Sequence, residues 1–169
     1  MNEKPWLNEP DFVELKTDNR YHAIVWRNPQ LGNLNGYVGV KPYHPWYGLH
    51  PTNDTVCDCQ VHGGITYAGN RYDEVFKKGY WYFGFDTAHF NDLVPYLQTM
   101  KETVALKKEF EPIGFPGFRE TYRTIDFVSA ETLRLLEQIE QARKDKPQYT
   151  NHKRFYKKLR KKIQVVQIY

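Results

Sequence analysis

The chain has 169 residues, enough for one domain with a single core and too few for two comfortable ones. Hydrophobic residues make up 40% and charged residues 26%, which excludes wholesale disorder. The net charge of +4 is uneven: Arg143 to Tyr169 holds ten basic residues and one acid, +9 in all, which leaves residues 1–142 at −5.

No apolar run approaches the roughly 18 residues of a membrane helix, and Met1 to Pro5 does not open a signal peptide, so neither a membrane partner nor export is expected. Two cysteines exclude a disulfide framework and suit a reducing compartment. Aromatic residues are abundant, at 16%. The basic tail has two uses: an arm for nucleic acid or a host protein, or a helix lying on the acidic body. Screening favours the near neighbour, so nucleic acid is disfavoured as a partner.

Residues 1–20 read as a polar lead-in carrying Pro5 and Pro10, anchored by Trp6 and Phe12. Tyr21 to Arg27 and Gly36 to Val40, separated by a turn-rich loop, read as antiparallel strands. Residues 41–54 contain three prolines and form an aromatic loop. Thr55 to His62 alternates as a strand, bends at Gly63-Gly64 and resumes over Ile65 to Ala68; Tyr80 to Asp86 is the clearest strand. Asp92 to Phe110 is mixed, with a helix expected from about Leu97 despite Pro95, then a Pro/Gly loop over 111–118. The clearest helix spans Ser129 to Lys144, with Ser129 or Asp126 as cap and Leu133, Leu136 and Ile139 as its stripe. A basic helix over 151–163 follows, with Phe155, Leu159 and Ile163 on one face. The expected fold class is α+β: an antiparallel sheet from the N-terminal two-thirds, helices after it, one domain over 1–146 and a basic tail over 147–169.

Strand parity sorts the candidate chemistry. Within 56–62, Cys57, Cys59 and Val61 share an apolar face, and Asp58, Gln60 and His62 share the other. A metal on the C-x-C pair and His62 would need opposite faces to meet, so no metal and no cofactor are expected. Gly63 and Gly64 free the backbone to turn beside His62 and leave amides open to a ligand oxygen. In the strong strand, Trp81, Phe83 and Phe85 point into the core, and Tyr80, Tyr82, Gly84 and Asp86 point away from it. Asp86, His89 and Asp92 follow a D-x-x-H-x-x-D spacing that places three polar groups on one side of a turn. Pairing of the two strands brings His62 and Asp86 together as an Asp–His pair. Tyr43, His44, Trp46 and Tyr47, in the proline-stiffened loop, supply rings for a planar ligand. Thr66 completes the binding set. No nucleophile elbow, P-loop or G-x-G-x-x-G occurs, so a triad hydrolase, an NTPase and a dinucleotide oxidoreductase lack support.

Five segments in order carry a resemblance: Gly36-Tyr-Val-Gly-Val40; His44-Pro45-x-Tyr47-Gly48; Val61-His-Gly-Gly-Ile-Thr-Tyr67; Trp81-Tyr-Phe-Gly-Phe-Asp-x-Ala-His89-x-x-Asp92; and Tyr122-Arg123-x-x-Asp126-Phe-Val-x-x-Glu131. Over residues 34–140 the chain resembles a family of small accessory proteins of bacteriophages and prophages. The resemblance brings no catalytic assignments. It implies an accessory phage protein acting in the cytoplasm of an infected bacterium, where such proteins often counter host defence by trapping or cleaving nucleotide signals. The first expectation is therefore a protein that binds a small nucleotide-like ligand, with a second copy of the chain admitted as a partner. The alternatives are a phosphodiesterase or other hydrolase, with His62 or His89 as acid/base and Asp86 orienting it, and a nucleic-acid or host-protein binder using the tail.

Overall fold

The computed structural model describes residues 4–71, 74–106 and 119–145. Five antiparallel strands form one sheet in the order β1-β2-β3-β5-β4: β1 Phe12–Thr17, β2 Tyr21–Arg27, β3 Leu34–Val40, β4 Tyr67–Gly69 and β5 Trp81–Phe85. Among the described residues three α-helices accompany them: α1 Asp54–Cys57, α2 Pro95–Leu106 and α3 Ile125–Asp145. The sheet in the N-terminal two-thirds with its main helices afterwards is the expected α+β class. The expected 111–118 loop and the basic helix and tail lie outside the described residues.

Period-two alternation decides what each face of the sheet buries. Ala23, Val38 and Phe83 stand in register across β2, β3 and β5, as do Val25, Gly36 and Phe85. These residues meet Val128, Leu135, Leu136 and Ile139 of α3 in the main core. The helix lies so close to β3 that a Cβ on Gly36 would stand 2.2 Å from Thr132 Oγ1 and 2.4 Å from the Phe85 ring. The other face is not a wet one. Ile24, Tyr37, Phe76, Tyr80 and Tyr82 form a second, smaller core there. It encloses buried His22, whose Nδ1 lies 2.6 Å from Tyr82 Oη and whose Nε2 lies 2.9 Å from Glu14 Oε2. Lys77 N–H donates to the same phenol oxygen at 2.9 Å, so the Tyr82 O–H is directed at Nδ1 and the histidine N–H at Glu14.

Several expectations need correction. Residues 12–17 of the supposed lead-in form β1, because their alternating Phe-Val-Glu-Leu-Lys-Thr pattern finds the free edge of β2. Trp6 does anchor the lead-in, packing 5.1 Å from Tyr122. Pro95 opens α2 instead of preceding it, as suits a residue with no N–H to satisfy. Helix α3 begins four residues earlier than expected. Glu9 Oε1 accepts the Ile125 N–H at 3.0 Å, and Thr124 Oγ1 accepts that of Phe127 at 3.4 Å. Its buried stripe is Val128, Thr132, Leu135, Leu136 and Ile139, whereas Leu133 is exposed.

The largest correction is Thr55 to His62, which is not a strand. Asn53 caps the short helix α1 by accepting the Thr55 N–H, and the chain then crosses beside α3. Its backbone bonds go to side chains of that helix: Gln60 N–H to Gln138 Oε1 at 2.8 Å and His62 N–H to Glu131 Oε2 at 2.8 Å. Parity therefore fails here, and the two cysteines do not share an apolar face. Cys57 is exposed, with its thiol donating to the Pro51 carbonyl at 3.1 Å. Cys59 is buried, and burial with the Asp58 charge pushes its thiol up to about 11. Alkylation of the native protein at pH 8, read by peptide mass spectrometry, should therefore label Cys57 at least about tenfold faster than Cys59. Equal labelling would contradict the placement of this crossing.

Candidate functional site

Asp92 is the centre on which His62 and His89 converge. It follows a tight turn closed by Asp92 N–H to the His89 carbonyl at 2.9 Å, and is bridged to Thr121. Its side chain is 1% exposed. Oδ2 lies 2.8 Å from His62 Nε2, 3.3 Å from His89 Nδ1 and 3.1 Å from the His89 amide. Oδ1 accepts from Arg123 Nε at 2.7 Å. Burial by itself raises the pKa of Asp92, but the hydrogen bonds from His62, Arg123 and the His89 amide outweigh it. The carboxyl is held below its ordinary value and is ionised at neutral pH.

The two imidazoles are fixed from outside the carboxylate as well. Their rings lie 5.2 Å apart at 80°, and His62 also meets Phe127 edge-on at 5.4 Å. Gly63 has a φ of +67°, and a Cβ there would stand 2.0 Å from His89 Cε1. Glycine is required at this position twice over, for the left-handed turn and for the ring beside it. Gly64 also has positive φ, with open space where its side chain would be.

Asp86 does not join this cluster. Its Oδ2 accepts from Thr66 Oγ1 at 2.8 Å and its Oδ1 accepts the Ala88 N–H at 3.0 Å. The D-x-x-H-x-x-D spacing thus brings two of its three residues together, because the segment is a tight turn and not a continuing helix. The expected Asp86–His62 pair rested on pairing of two strands, and one of those strands does not form. Asp86 and Thr66 instead line a cleft of about 370 Å³ on the second face of the sheet, with Asn33, Asn35, Tyr37 and Arg71.

That cleft has an ordered polar wall. Asn33 Nδ2 donates to Asn35 Oδ1 at 2.8 Å, and Asn35 Nδ2 donates to Tyr37 Oη at 3.2 Å. Arg71 Nη1 donates to the same phenol oxygen at 3.3 Å, its guanidinium lying 4.8 Å from the Trp26 ring and 5.0 Å from that of Phe76. Asn33 is 1% exposed, yet its Oδ1 has no hydrogen-bond partner among the described residues. A buried acceptor left in that state costs about 1–3 kcal/mol unless something donates to it.

The aromatic loop is placed elsewhere. His44 and Trp46 are buried, the first with Nε2 3.0 Å from the Ile139 carbonyl of α3, the second packed 5.7 Å from the Phe83 ring. Tyr47 lies against Trp81, and exposed Tyr43 donates to the Asn19 carbonyl at 2.6 Å. These rings serve the core and the loop itself, because three prolines fold the segment back under α3. None of them lines the cleft.

Sequence reasoning missed Arg123, Asn33, Asn35, Tyr37 and Arg71 as site residues. The signal for three of them was present: Asn35 and Tyr37 share one face of β3 and Asn33, just before the strand, continues their spacing, but the asparagines were read as part of a turn-rich loop. The class of protein defined by fold and site is an α+β domain with a sheet-face cleft and a neighbouring His/His/Asp/Arg cluster. Comparison with known protein families, curated proteins and solved structures finds no match to this chain. Among the described residues no helix is long and apolar enough to cross a membrane.

Proposed function

We propose that the protein captures a small nucleotide-like ligand in the sheet-face cleft, and that its role is that of a phage-encoded sponge for a nucleotide-derived defence signal. The single observation that carries the ligand class is Asn33 Oδ1, a buried acceptor in the cleft wall without a donor. A base presents ring N–H and exocyclic amino donors that such an acceptor satisfies. The volume lies within the range of small-molecule sites. The resemblance to phage accessory proteins supplies the biological setting.

One observation favours the hydrolase as the second reading. The His62–Asp92 pair at 2.8 Å is a carboxylate-oriented imidazole, with Asp92 in the role expected of Asp86. The test separates the two. Protein is incubated with a panel of linear and cyclic mono-, di- and trinucleotides, the free nucleotide is measured, and the complex is heat-denatured. Stoichiometric recovery of an intact nucleotide, with binding weakened about tenfold or more by Asn33→Leu, is the expected result. A new product formed at substoichiometric protein supports the hydrolase reading. Absence of retention for the whole panel, or unaltered binding by a folded Asn33→Leu variant, overturns the cleft assignment.

A further inference from the structure

Among the described residues, one set of three metal-ligating side chains places its ligand atoms within 4.8 Å of one another: His62, His89 and Asp92. We propose that this set binds a divalent transition-metal ion through His62 Nε2, His89 Nδ1 and Asp92 Oδ2. The sequence pointed away from a metal because it placed the candidate ligands on the two cysteines and His62. The structure separates the cysteines from His62 and substitutes a histidine and a carboxylate.

The geometry supports the assignment in three ways. First, the separations of 2.8 and 3.3 Å between each imidazole nitrogen and Oδ2 are those of ligand atoms at neighbouring vertices of a coordination sphere with bonds of about 2.0–2.2 Å. An ion seated among the three takes the lone pairs of Nε2 and Nδ1, and each neutral imidazole then carries its proton on the opposite ring nitrogen. Second, the carboxylate is oriented by an outer partner. Arg123 holds Oδ1 at 2.7 Å, so Oδ2 is the oxygen turned towards both rings. Third, the rings are positioned without the ion. The Gly63 backbone sits against His89, and Phe127 flanks His62, so little ordering is left for binding to impose.

The donor set selects the class of ion. Two imidazoles and one carboxylate suit Zn²⁺, Co²⁺, Ni²⁺ or Fe²⁺ and disfavour Mg²⁺ and Ca²⁺, which take oxygen ligands. Three protein ligands leave positions open, the pattern of a site that presents water or a ligand oxygen. The side chain of His89 is 35% exposed, so solvent reaches the cluster. This inference uses none of the cleft's binding residues, so it stands or falls separately from nucleotide capture.

The test uses untagged full-length protein titrated with Co²⁺ and Zn²⁺. Saturable 1:1 binding, with visible cobalt absorption characteristic of four or five ligands and reversal by chelator, is expected. Partners of metal ligands alone are worth about 10–100-fold in affinity. His89→Ala, which removes a ligand from a partly exposed position, should therefore weaken binding about a hundredfold or more, while Cys57→Ser leaves it unchanged. Ring ¹⁵N spectra of the wild-type protein need no variant: zinc should shift the His62 and His89 nitrogens and leave those of His22 and His44 in place. Lack of stoichiometric binding, loss of binding in Cys57→Ser, or zinc shifts confined to other histidines would each overturn the proposal.

Discussion

Asp92→Ala should lower the melting temperature by roughly 10 °C, whereas Asp86→Ala should change it by only a few degrees. Asp92 is nearly enclosed and receives donors from His62, His89 and Arg123. Its removal leaves a guanidinium and two imidazoles facing a gap, a loss of about 3 kcal/mol for a partly buried charged network. For a chain of this size each kcal/mol moves the midpoint by about 2–4 °C. Asp86 gives up one hydroxyl and one amide partner at a half-buried position, about 1 kcal/mol. Acid should reproduce part of the effect. The Asp92 carboxyl is held below its ordinary 3.8, so its contribution is complete above that value and is lost as pH falls towards the lower folded pKa. Glu14, held at about 2 chiefly by hydrogen bonds from Lys77 and Thr17, acts in the same direction from a more exposed position. Denaturant unfolding of both variants at pH 7 and pH 3.5 checks the assignment. The wild-type advantage over Asp92→Ala should shrink at the lower pH, and equal losses for the two aspartates would contradict a centre on Asp92.

Gly36→Val is expected to have an effect at least as large, by a mechanism that involves no charge. The added Cβ alone would meet Thr132 Oγ1 at 2.2 Å and the Phe85 ring at 2.4 Å. Thr132 cannot withdraw freely, since its Oγ1 donates to the Val128 carbonyl at 2.7 Å inside α3. Phe85 is 1% exposed and packed into the main core. Helix α3 must therefore lift from the sheet, and overpacking of this kind costs about 1–3 kcal/mol, more where backbone has to move. A loss of about 3 kcal/mol or more in urea unfolding is expected, with reduced burial of Val128 and Leu135. A loss under about 1 kcal/mol would mean that the helix is not held this close to β3.

The sequence by itself determined the elements whose pattern is local. Tyr21 to Arg27 and Trp81 to Phe85 are strands because β-branched and aromatic residues fill a full strand length. Parity correctly sent Phe83 and Phe85 to one side and Tyr82 and Gly84 to the other. The long helix was legible for the same reason, down to Leu136 and Ile139 on its buried side. Alternation misled at Thr55 to His62, where Cys57, Cys59 and Val61 look like one face of a strand. A strand also needs a free edge to pair with. Both edges of β3 are taken by β2 and β5, and the outer edge of β5 by β4. With β5, its expected partner, already paired on both edges, the segment takes its hydrogen bonds from the side chains of Gln138 and Glu131.

Tertiary structure alone decided which carboxylate the histidines share. His62 and Asp92 are 30 residues apart, and Arg123 lies another 31 beyond. Their meeting depends on where the crossing after α1, the turn at 89–92 and the start of α3 come to rest on one another. Spacing within D-x-x-H-x-x-D could not choose between Asp86 and Asp92, because that choice follows from which side of the sheet each turn faces. The same holds for the aromatic loop. Its composition suits a ligand or a core equally well, and the packing of α3 over His44 and Trp46 settled it as core. Side-chain identity states what chemistry is available; the packing of distant segments selects which of those groups share a site.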